Sequence, residues 1–303
     1  MNCKICGNKA SFKLKSHNLK LCEEDFKVFL DRQFRRAITD MKMFNRQESI
    51  LVAVSGGKDS LLCWHLINKL AYRSEGVFLD LGIEGFSSAS KDKIFKFAKE
   101  RELKFKVLKV EELTGLDIRM MLKKKRFCAV CGMVKRYWLN RYAYENGFSV
   151  IATGHNLEDE SAVLLGNILH WQLGYIRRQS PRLDAVGSKL IRRVKPLYKM
   201  SEYEIRTYAR LEGIDYLSDS CPFKKGNTQD IYKEALSLIE EYSPGTRNNF
   251  LFQFLDKKED IFEKEESVQL NECSKCGMLT TQETCSYSKL IGKEKARYEL
   301  QEK

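Results

Sequence analysis

No stretch of this sequence is apolar over the ~18 residues that a membrane-spanning helix needs. The first four residues, Met1 to Lys4, also lack the apolar segment of a secretory signal peptide. These two absences predict a cytoplasmic protein with no membrane partner. Ten cysteines in a reducing compartment then favour metal ligands over disulfides.

The sequence also lacks a Walker A loop, although it has a glycine-rich loop between a buried apolar run and an amphipathic helix. Asp59 follows Lys58 where a Walker A loop needs Ser or Thr, and Val52 occupies the place of its first glycine. This argues against a kinase or GTPase. The Ser-Gly-Gly-Lys-Asp-Ser segment at 55–60 still predicts a phosphate or pyrophosphate site, because adjacent glycines and a helix N-terminus present N–H groups to an anion. A simple turn with a helix cap is the alternative.

Composition is compatible with an enzyme that has a polyanionic partner. The 303 residues are 43% hydrophobic, enough for one large domain with appendages. Lys and Arg number 53 against 41 Asp and Glu, which gives a formal net charge of +12. This excess favours nucleic acid over a small acidic metabolite as the partner.

The centre of the chain alternates apolar runs with helical patterns. Runs at 50–54, 76–81, 105–110 and 149–153 are separated by helices near 60–72, 89–102 and 132–146. This alternation predicts an α/β fold with a doubly wound parallel sheet, in which ligands bind at the carboxyl ends of the strands. Further helices are predicted from the N-cap Ser201 to about Gly213, over 228–242 and over 246–256.

Both ends of the chain carry cysteines at metal-ligand spacing. Cys3, Cys6 and Cys22 are followed by Asp25 as a fourth candidate ligand, with His17 as its competitor. The second set, at the other end, consists of Cys273, Cys276 and Cys285, with the poorer ligand Ser288 in the fourth position. We expect a structural zinc role at both ends, in preference to cysteines packed as small hydrophobes.

Three further cysteines belong to a different pattern. Cys128 and Cys131 open a helix after the basic run 123–126, and Cys221 lies far along the chain, whereas Cys63 falls on the apolar face of a helix as a core residue. The three could form an incomplete zinc site, a redox disulfide or a [4Fe-4S] cluster with one iron lacking a thiolate. Spacing alone does not choose among these.

Six segments in this order resemble the TtuA-type tRNA 2-thiouridine synthetases of the ATP pyrophosphatase (PP-loop) superfamily, over nearly the whole chain. They are Ser55 to Ser60, Cys128-Ala129-Val130-Cys131-Gly132 with Lys135-Arg136-Tyr137, Gly154-His155-Asn156-Leu157-Glu158-Asp159, Lys195-Pro196-Leu197, Ser220-Cys221-Pro222 and Pro244-Gly245-Thr246. The sequence departs from the family pattern at Asp25, where the family has a zinc histidine, and at Ser288, where it has a zinc cysteine.

The resemblance implies that ATP adenylates a uridine C2 oxygen, which sulfur then replaces. It implies ATP, Mg²⁺, Zn²⁺ and a [4Fe-4S] cluster held by Cys128, Cys131 and Cys221, whose open iron presents sulfur. The implied nucleotide-binding residues are Ala53, Ser55, Gly57, Lys58, Asp59, Ser60, Leu79, Lys135 and Gly154.

Asp59, Asp159 and Lys135 are the predicted catalytic residues. Asp159 would take the N3 proton of the uridine, and Lys135 would stabilise charge on the α-phosphate or the activated base. Asp159 and Lys135 each have a simpler interpretation. Asp159 could complement a helix dipole, and Lys135 could be a solvated lysine. A basic stretch with Trp171 and Tyr175 nearby either contacts tRNA phosphates or forms a solvated face. It comprises Arg177, Arg178, Arg182, Arg192, Arg193 and Lys195.

The predicted organisation has five parts. These are an N-terminal zinc module (1–30), a connecting helix (31–48), the PP-loop catalytic domain (49–220), a helical extension (221–265) and a C-terminal zinc-ribbon-like module (266–303). The resemblance implies tRNA, modified at position 54, as substrate, a thiocarboxylated ubiquitin-like carrier or hydrosulfide as sulfur donor, and a homodimer. The alternatives are a wobble-uridine or cytidine thiolase, a small-molecule ligase or amidotransferase, and a zinc-bearing RNA-binding protein with an inactive nucleotide fold.

Overall fold

The computed structural model describes residues 1–117, 127–224, 227–262 and 269–301. Its strands are β1 (Phe12–Leu14), β2 (Leu19–Leu21), β3 (Ile50–Ala53), β4 (Ser74–Asp80), β5 (Phe105–Lys109), β6 (Val150–Thr153), β7 (Arg182–Leu183), β8 (Arg192–Val194), β9 (Asn271–Glu272) and β10 (Leu279–Thr280). Its α-helices are α1 (Glu23–Asp40), α2 (Lys58–Lys69), α3 (Phe86–Glu100), α4 (Val110–Thr114), α5 (Phe127–Glu145), α6 (Leu157–Leu169), α7 (Leu173–Arg178), α8 (Glu202–Leu211), α9 (Thr228–Tyr242), α10 (Thr246–Ile261) and α11 (Ser286–Gln301).

Six strands form the central sheet in the order β5-β4-β3-β6-β8-β7. Neighbours are parallel from β5 to β8, and the short β7 pairs antiparallel with β8 at the edge. The predicted doubly wound, mostly parallel sheet is therefore confirmed. The carboxyl ends of β4, β3 and β6 lie side by side, so the turns that follow them meet at one edge.

Both faces of this sheet are buried, which explains why its strands are continuous apolar runs rather than alternating ones. Along β3, Ile50 and Val52 face one apolar core and Leu51 faces the other. Trp64 of α2 lies fully buried in the first core, while Val134 of α5 lies in the second.

The N-terminal hairpin of β1 and β2 shares the first of these cores. Phe12, Leu14 and Leu21 are buried in the same apolar cluster as Trp64 and Tyr208. Helix α1 continues this contact, because its residues Phe26, Leu30 and Phe34 are completely buried. The hairpin is thus packed onto the central sheet.

The C-terminal hairpin of β9 and β10 lies against the other side of the protein. The ring of Tyr287, in α11, stacks on that of Tyr137 in α5, with centroids 3.6 Å apart. Lys189 Nζ also donates to Glu272 Oε1 at 2.7 Å, which ties the segment before β8 to β9.

Several predicted boundaries can be compared directly with the structure. The helix expected at 228–242 has these limits, and Ser201 caps α8 in a reciprocal hydrogen-bond pair with Glu204. Helix α3 starts at Phe86, slightly before its predicted beginning. The basic run 123–126 lies outside the described residues. Among the helices that are described, none is both long and apolar enough to cross a membrane.

Candidate active site and metal-ligand clusters

The glycine-rich loop joins β3 to α2 at the carboxyl edge of the sheet. Ser60 Oγ accepts from the Ser55 backbone N–H at 3.0 Å and donates to the Gly57 carbonyl at 3.0 Å, which closes the loop on itself. Ser55 Oγ lies 3.2 Å from Ser60 Oγ. Two of the predicted phosphate-binding hydroxyls are therefore adjacent at the N-terminus of α2, where anions are favoured.

Gly56 has a backbone conformation that only glycine takes up without strain. Its φ is +78°, and a Cβ at this position would lie 2.8 Å from the Ser90 carbonyl oxygen of α3. The loop is consequently pressed against α3, and any side chain here would displace it.

Lys58 lies between two carboxylates. Its Nζ is 2.9 Å from Asp59 Oδ2 and 3.2 Å from Glu202 Oε1, at the N-terminus of α8. Burial disfavours its charge, but Asp59 and Glu202 more than offset this and raise the pKa of Lys58. The ammonium is therefore charged beside the loop, and Glu202 is a site residue that the sequence argument missed.

The buried ion pair between Glu158 and Arg247 holds the backbone of Glu202 in place. Glu158 Oε2 accepts from the Glu202 backbone N–H at 2.9 Å, and Glu158 Oε1 pairs with Arg247 of α10. Burial raises the pKa of Glu158 to about 7 in spite of Arg247. The motif residue Glu158 thus holds the start of α8, and Arg247, which directly follows the motif Pro244-Gly245-Thr246, is its partner.

The turn after β6 contacts the loop directly. A Cβ on Gly154 would lie 2.7 Å from Asp59 C and Ser60 N, so the two backbones touch. Asn156 Nδ2 donates to Asp59 Oδ1 at 2.9 Å. Gly154 and Asp59 are thereby brought together as the sequence predicted, with Asn156 as an additional link.

Asp159 is held in place by both of its carboxylate oxygens. Oδ2 accepts from the Asn156 backbone N–H at 3.0 Å in a capping box at the start of α6, and Oδ1 pairs with Lys233 of α9. Burial opposes ionisation, but Lys233 and the other partners prevail and lower the pKa of Asp159. The carboxylate therefore caps the helix and is also ionised beside the loop.

A cavity of about 380 Å³ opens beside the loop. It is lined by Gly57, Lys58, Asp59, Glu202, Arg206, Tyr216, Leu217 and Ser218. Leu217 N donates to the Gly56 carbonyl at 2.9 Å, so the segment leading to Cys221 forms one wall of this cavity. Ala53 ends β3 and pairs with Val77 of β4, and the buried Leu79 follows two residues further along β4.

The three remaining candidate ligands lie at one end of α5. Cys131 is buried, and Cys221 packs against the same apolar cluster. Phe127 and Phe223 stack with centroids 4.4 Å apart, which joins the segments carrying Cys128 and Cys221. Burial raises the pKa of Cys131, and Lys135 is close enough to oppose this. Lys135 lies one helical turn beyond Cys131 in α5, as the sequence predicted. The fully buried Cys63 is a core residue.

The ligand atoms of the three N-terminal cysteines and Asp25 all lie within 4.8 Å of one another. The sulfurs of Cys6 and Cys22 are 3.7 Å apart, close to the ~3.8 Å edge of a tetrahedron with Zn–S bonds of about 2.3 Å. Asp25 Oδ2 lies 3.0 Å from Cys3 Sγ and 3.3 Å from Cys22 Sγ. His17 instead pairs with Glu204 of α8 at 3.0 Å. The geometry favours Asp25 over His17 as the fourth ligand.

The C-terminal cysteines repeat this arrangement. Cys276 and Cys285 have sulfurs 3.7 Å apart, and Cys273 completes the group. Ser288 Oγ lies 3.6 Å from Cys273 Sγ and 3.3 Å from Cys285 Sγ, in the fourth position. Three thiols and a hydroxyl therefore converge here.

Several side chains of the basic stretch form ion pairs with carboxylates of the same chain. Arg182 pairs with Asp184, Arg192 with Glu48 and Lys195 with the buried Glu160. Trp171 and Tyr175, in contrast, are 78% and 62% exposed. Three of the six predicted tRNA-contacting cations thus form ion pairs within the protein, and Arg177 and Arg178 lie over the rings of Phe262 and Tyr175.

A mostly parallel sheet with a glycine-rich loop at the carboxyl end of its central strand β3 is the arrangement of a PP-loop domain, and comparison with known families agrees. The PP-loop domain model matches residues 28–233. The model described as 2-thiouridine synthetase TtuA, N-terminal LIM domain, matches residues 2–27.

Full-length relatives narrow the assignment. The chain is 43% identical to the tRNA-5-methyluridine(54) 2-sulfurtransferase of Thermotoga maritima, with 96% of each chain covered. It is 39% identical to the enzyme of the same name from Pyrococcus horikoshii, with 97% of this chain and 95% of that one covered. The solved U34-tRNA thiolase NcsA of Methanococcus maripaludis shares the fold, with a TM-score of 0.84, 23% identity, and coverage of 97% of this chain and 96% of that one. The chain therefore belongs to the PP-loop family of tRNA 2-sulfurtransferases.

Proposed function

We propose that this chain uses ATP to replace the C2 oxygen of uridine 54 in tRNA by sulfur. The observation that carries the proposal is the full-length similarity to sulfurtransferases named for this position, combined with the intact loop at 55–60. The basic charge of the chain suits a tRNA substrate.

The loop residues are proposed to bind the ATP phosphates. Ser55, Gly57 and Ser60 offer N–H and hydroxyl groups at the start of α2, and Lys58 supplies a positive charge that Asp59 and Glu202 hold beside them. When Lys58 turns to the phosphates, Asp59 and Glu202 are the carboxylates that would bind Mg²⁺.

The uridine is proposed to be activated at the same edge of the sheet. The O2 atom attacks the α-phosphorus, pyrophosphate leaves, and the N3 proton passes to Asp159. Lys233 keeps Asp159 ionised, and both oxygens of Asp159 already accept hydrogen bonds. Asp159 therefore gives up one of these hydrogen bonds when it takes the proton. Lys135 stabilises charge on the activated base, and AMP is the leaving group when sulfur attacks C2.

Cys128, Cys131 and Cys221 are proposed to hold a [4Fe-4S] cluster. Burial of Cys131, the apolar surroundings of Cys221 and the ring stack joining their segments all suit such a cluster. When bound, a cluster with one iron free of protein thiolate supplies a Lewis-acid site for hydrosulfide. Among the three cysteines Cys131 is the buried one, and Lys135 follows it by one turn of α5, from where it would act on sulfur bound at this site.

The other parts of the proposal concern metals and partners. Zn²⁺ is held by Cys3, Cys6, Cys22 and Asp25 at one end and by the cysteines near Ser288 at the other. The sulfur donor is hydrosulfide or a ubiquitin-like carrier with a C-terminal thiocarboxylate, and the protein acts as a homodimer.

Anaerobically purified protein provides the test. We expect iron and acid-labile sulfide to be present, and we expect ATP-dependent formation of 2-thiouridine in tRNA, read by nucleoside mass spectrometry. Cys221→Ala should lose the brown absorbance and thiolation but keep ATP binding, whereas Cys63→Ala, in the core, should keep all three. Full thiolation by iron-free protein would refute the role of the cluster.

A further inference from the structure

Helix α9 carries apolar residues on its solvent-exposed side. Ile231, Leu238 and Tyr242 are 60%, 57% and 85% exposed, and Ala235 between them is also exposed. Their spacing of four, three and four residues puts them on one stripe of the helix. Ile239, 46% exposed, widens this stripe.

The opposite face already secures the helix to the protein. Leu236 is buried, Tyr232 packs over Gly166 of α6, and Lys233 pairs with Asp159. Helix α9 therefore does not need its outer stripe for folding. Single exposed apolar residues are ordinary, but a contiguous stripe on one helix indicates a binding surface.

An acidic hollow borders this stripe. A cavity of about 530 Å³ between α9 and the start of α8 is lined by Glu202, Asp230, Lys233, Glu234, Ser237, Leu238 and Glu241. Four of these side chains are carboxylates and one is a cation, in a chain whose formal net charge is +12. The surface is thus apolar on one side and negative on the other.

The apolar stripe and the acidic hollow together favour some classes of binding partner over others. RNA is disfavoured because its phosphates would be repelled by the carboxylates. A second copy paired antiparallel through α9 is disfavoured too, since Glu234 and Glu241 of the two copies would then face each other. A protein whose apolar contact patch is bordered by lysine or arginine satisfies both halves of the surface.

We propose that the stripe on α9 and the adjacent hollow form the docking surface for a sulfur-delivering protein with a basic rim around an apolar patch. This inference rests on the proposed function. Glu202 of the hollow is 3.2 Å from Lys58 of the phosphate loop, and Lys233 pairs with Asp159. A protein bound here would reach the proposed reaction site along a short path.

The test compares two sulfur sources with the full-length protein. The double variant Ile231→Ser/Leu238→Ser removes two exposed anchors, so folding should be unaffected. With a ubiquitin-like carrier bearing a C-terminal thiocarboxylate as probe, we expect carrier binding and carrier-dependent thiolation to fall by about tenfold or more. Thiolation with sodium hydrosulfide should stay within about twofold of wild type. Ile261→Ser, at the 65% exposed end of α10, is the matched control and should change neither.

Reversing the charge of the acidic hollow gives a second, independent test. Glu234→Lys/Glu241→Lys should weaken carrier binding, and raising the salt concentration should reduce the difference between variant and wild type. Equal loss with both sulfur sources, unchanged carrier binding in both variants, or a fall in molecular mass to the monomer in the stripe variant would each overturn the docking proposal. A wild type that binds the carrier through α9 yet thiolates tRNA with neither sulfur source would refute the proposed function alone.

Discussion

Replacing Gly154 by alanine should damage catalysis far more than folding. Gly154 lies at the end of β6, where its backbone touches the first turn of α2 at Asp59 and Ser60. An added Cβ would lie 2.7 Å from backbone atoms of both residues, and backbone cannot rotate away as a side chain can.

The size of the effect follows from this contact. Ordinary carbon contacts are about 3.5 Å or longer, so the start of α2 must move by roughly 0.8 Å. Overpacking of this kind costs about 1–3 kcal/mol of unfolding free energy, which a domain of this size survives. A displacement approaching 1 Å at the reacting groups lowers the rate by ~100-fold. We therefore expect folded protein with a large loss of kcat.

The assay is ATP-dependent AMP release with tRNA, alongside thermal unfolding. Gly292→Ala in α11 is the control, because nothing in the described structure lies within 4 Å of a Cβ there. It should leave kcat unchanged, and a helical glycine replaced by alanine gains up to about 1 kcal/mol. Wild-type kcat and nucleotide affinity in Gly154→Ala would refute the reasoning that this contact sets the position of the loop.

Three other outcomes are expected. Asp59→Ala should abolish AMP release while the protein stays folded; normal thiolation by this variant would contradict the adenylation proposal. Asp25→Ala should lose zinc from the N-terminal site and His17→Ala should keep it, as metal analysis would establish; the reverse pattern would make His17 the ligand. Lys233→Met should raise the pKa of Asp159, because a cation that lowers it is removed. Activity should then fall off at higher pH on the acid side than in wild type, and an unshifted pH profile would exclude Asp159 as the base.

The sequence predicted the elements that depend on local patterns. Apolar runs such as 50–54 became central strands because both faces of the sheet are covered, and Ser201 could be recognised as a cap from its own neighbours. The antiparallel β7 was missed because Arg182 and Leu183 alone carry no strand pattern.

Contacts between site residues that are far apart in the chain could not be predicted from the sequence. Lys233 lies 74 positions from Asp159, and Asn156 lies 97 from Asp59, so spacing could not pair them. One local signal was available: Asn156 three residues before Asp159 is a capping-box pattern, which would have placed both at the start of α6. Glu202 had no such signal, since its role comes from the packing of α8 against the loop.

The burial of the N-terminal hairpin in the central core has a consequence for biosynthesis. Phe12, Leu14 and Leu21 leave the ribosome before the strands of the central sheet, yet they share a core with Tyr208. The chain must be synthesised through α8 before Tyr208 can contribute to this core. Early metal binding by Cys3, Cys6, Cys22 and Asp25 could hold the nascent hairpin in shape during this interval. A metal-starved cell should therefore accumulate aggregated chains, and not merely chains with an empty N-terminal site.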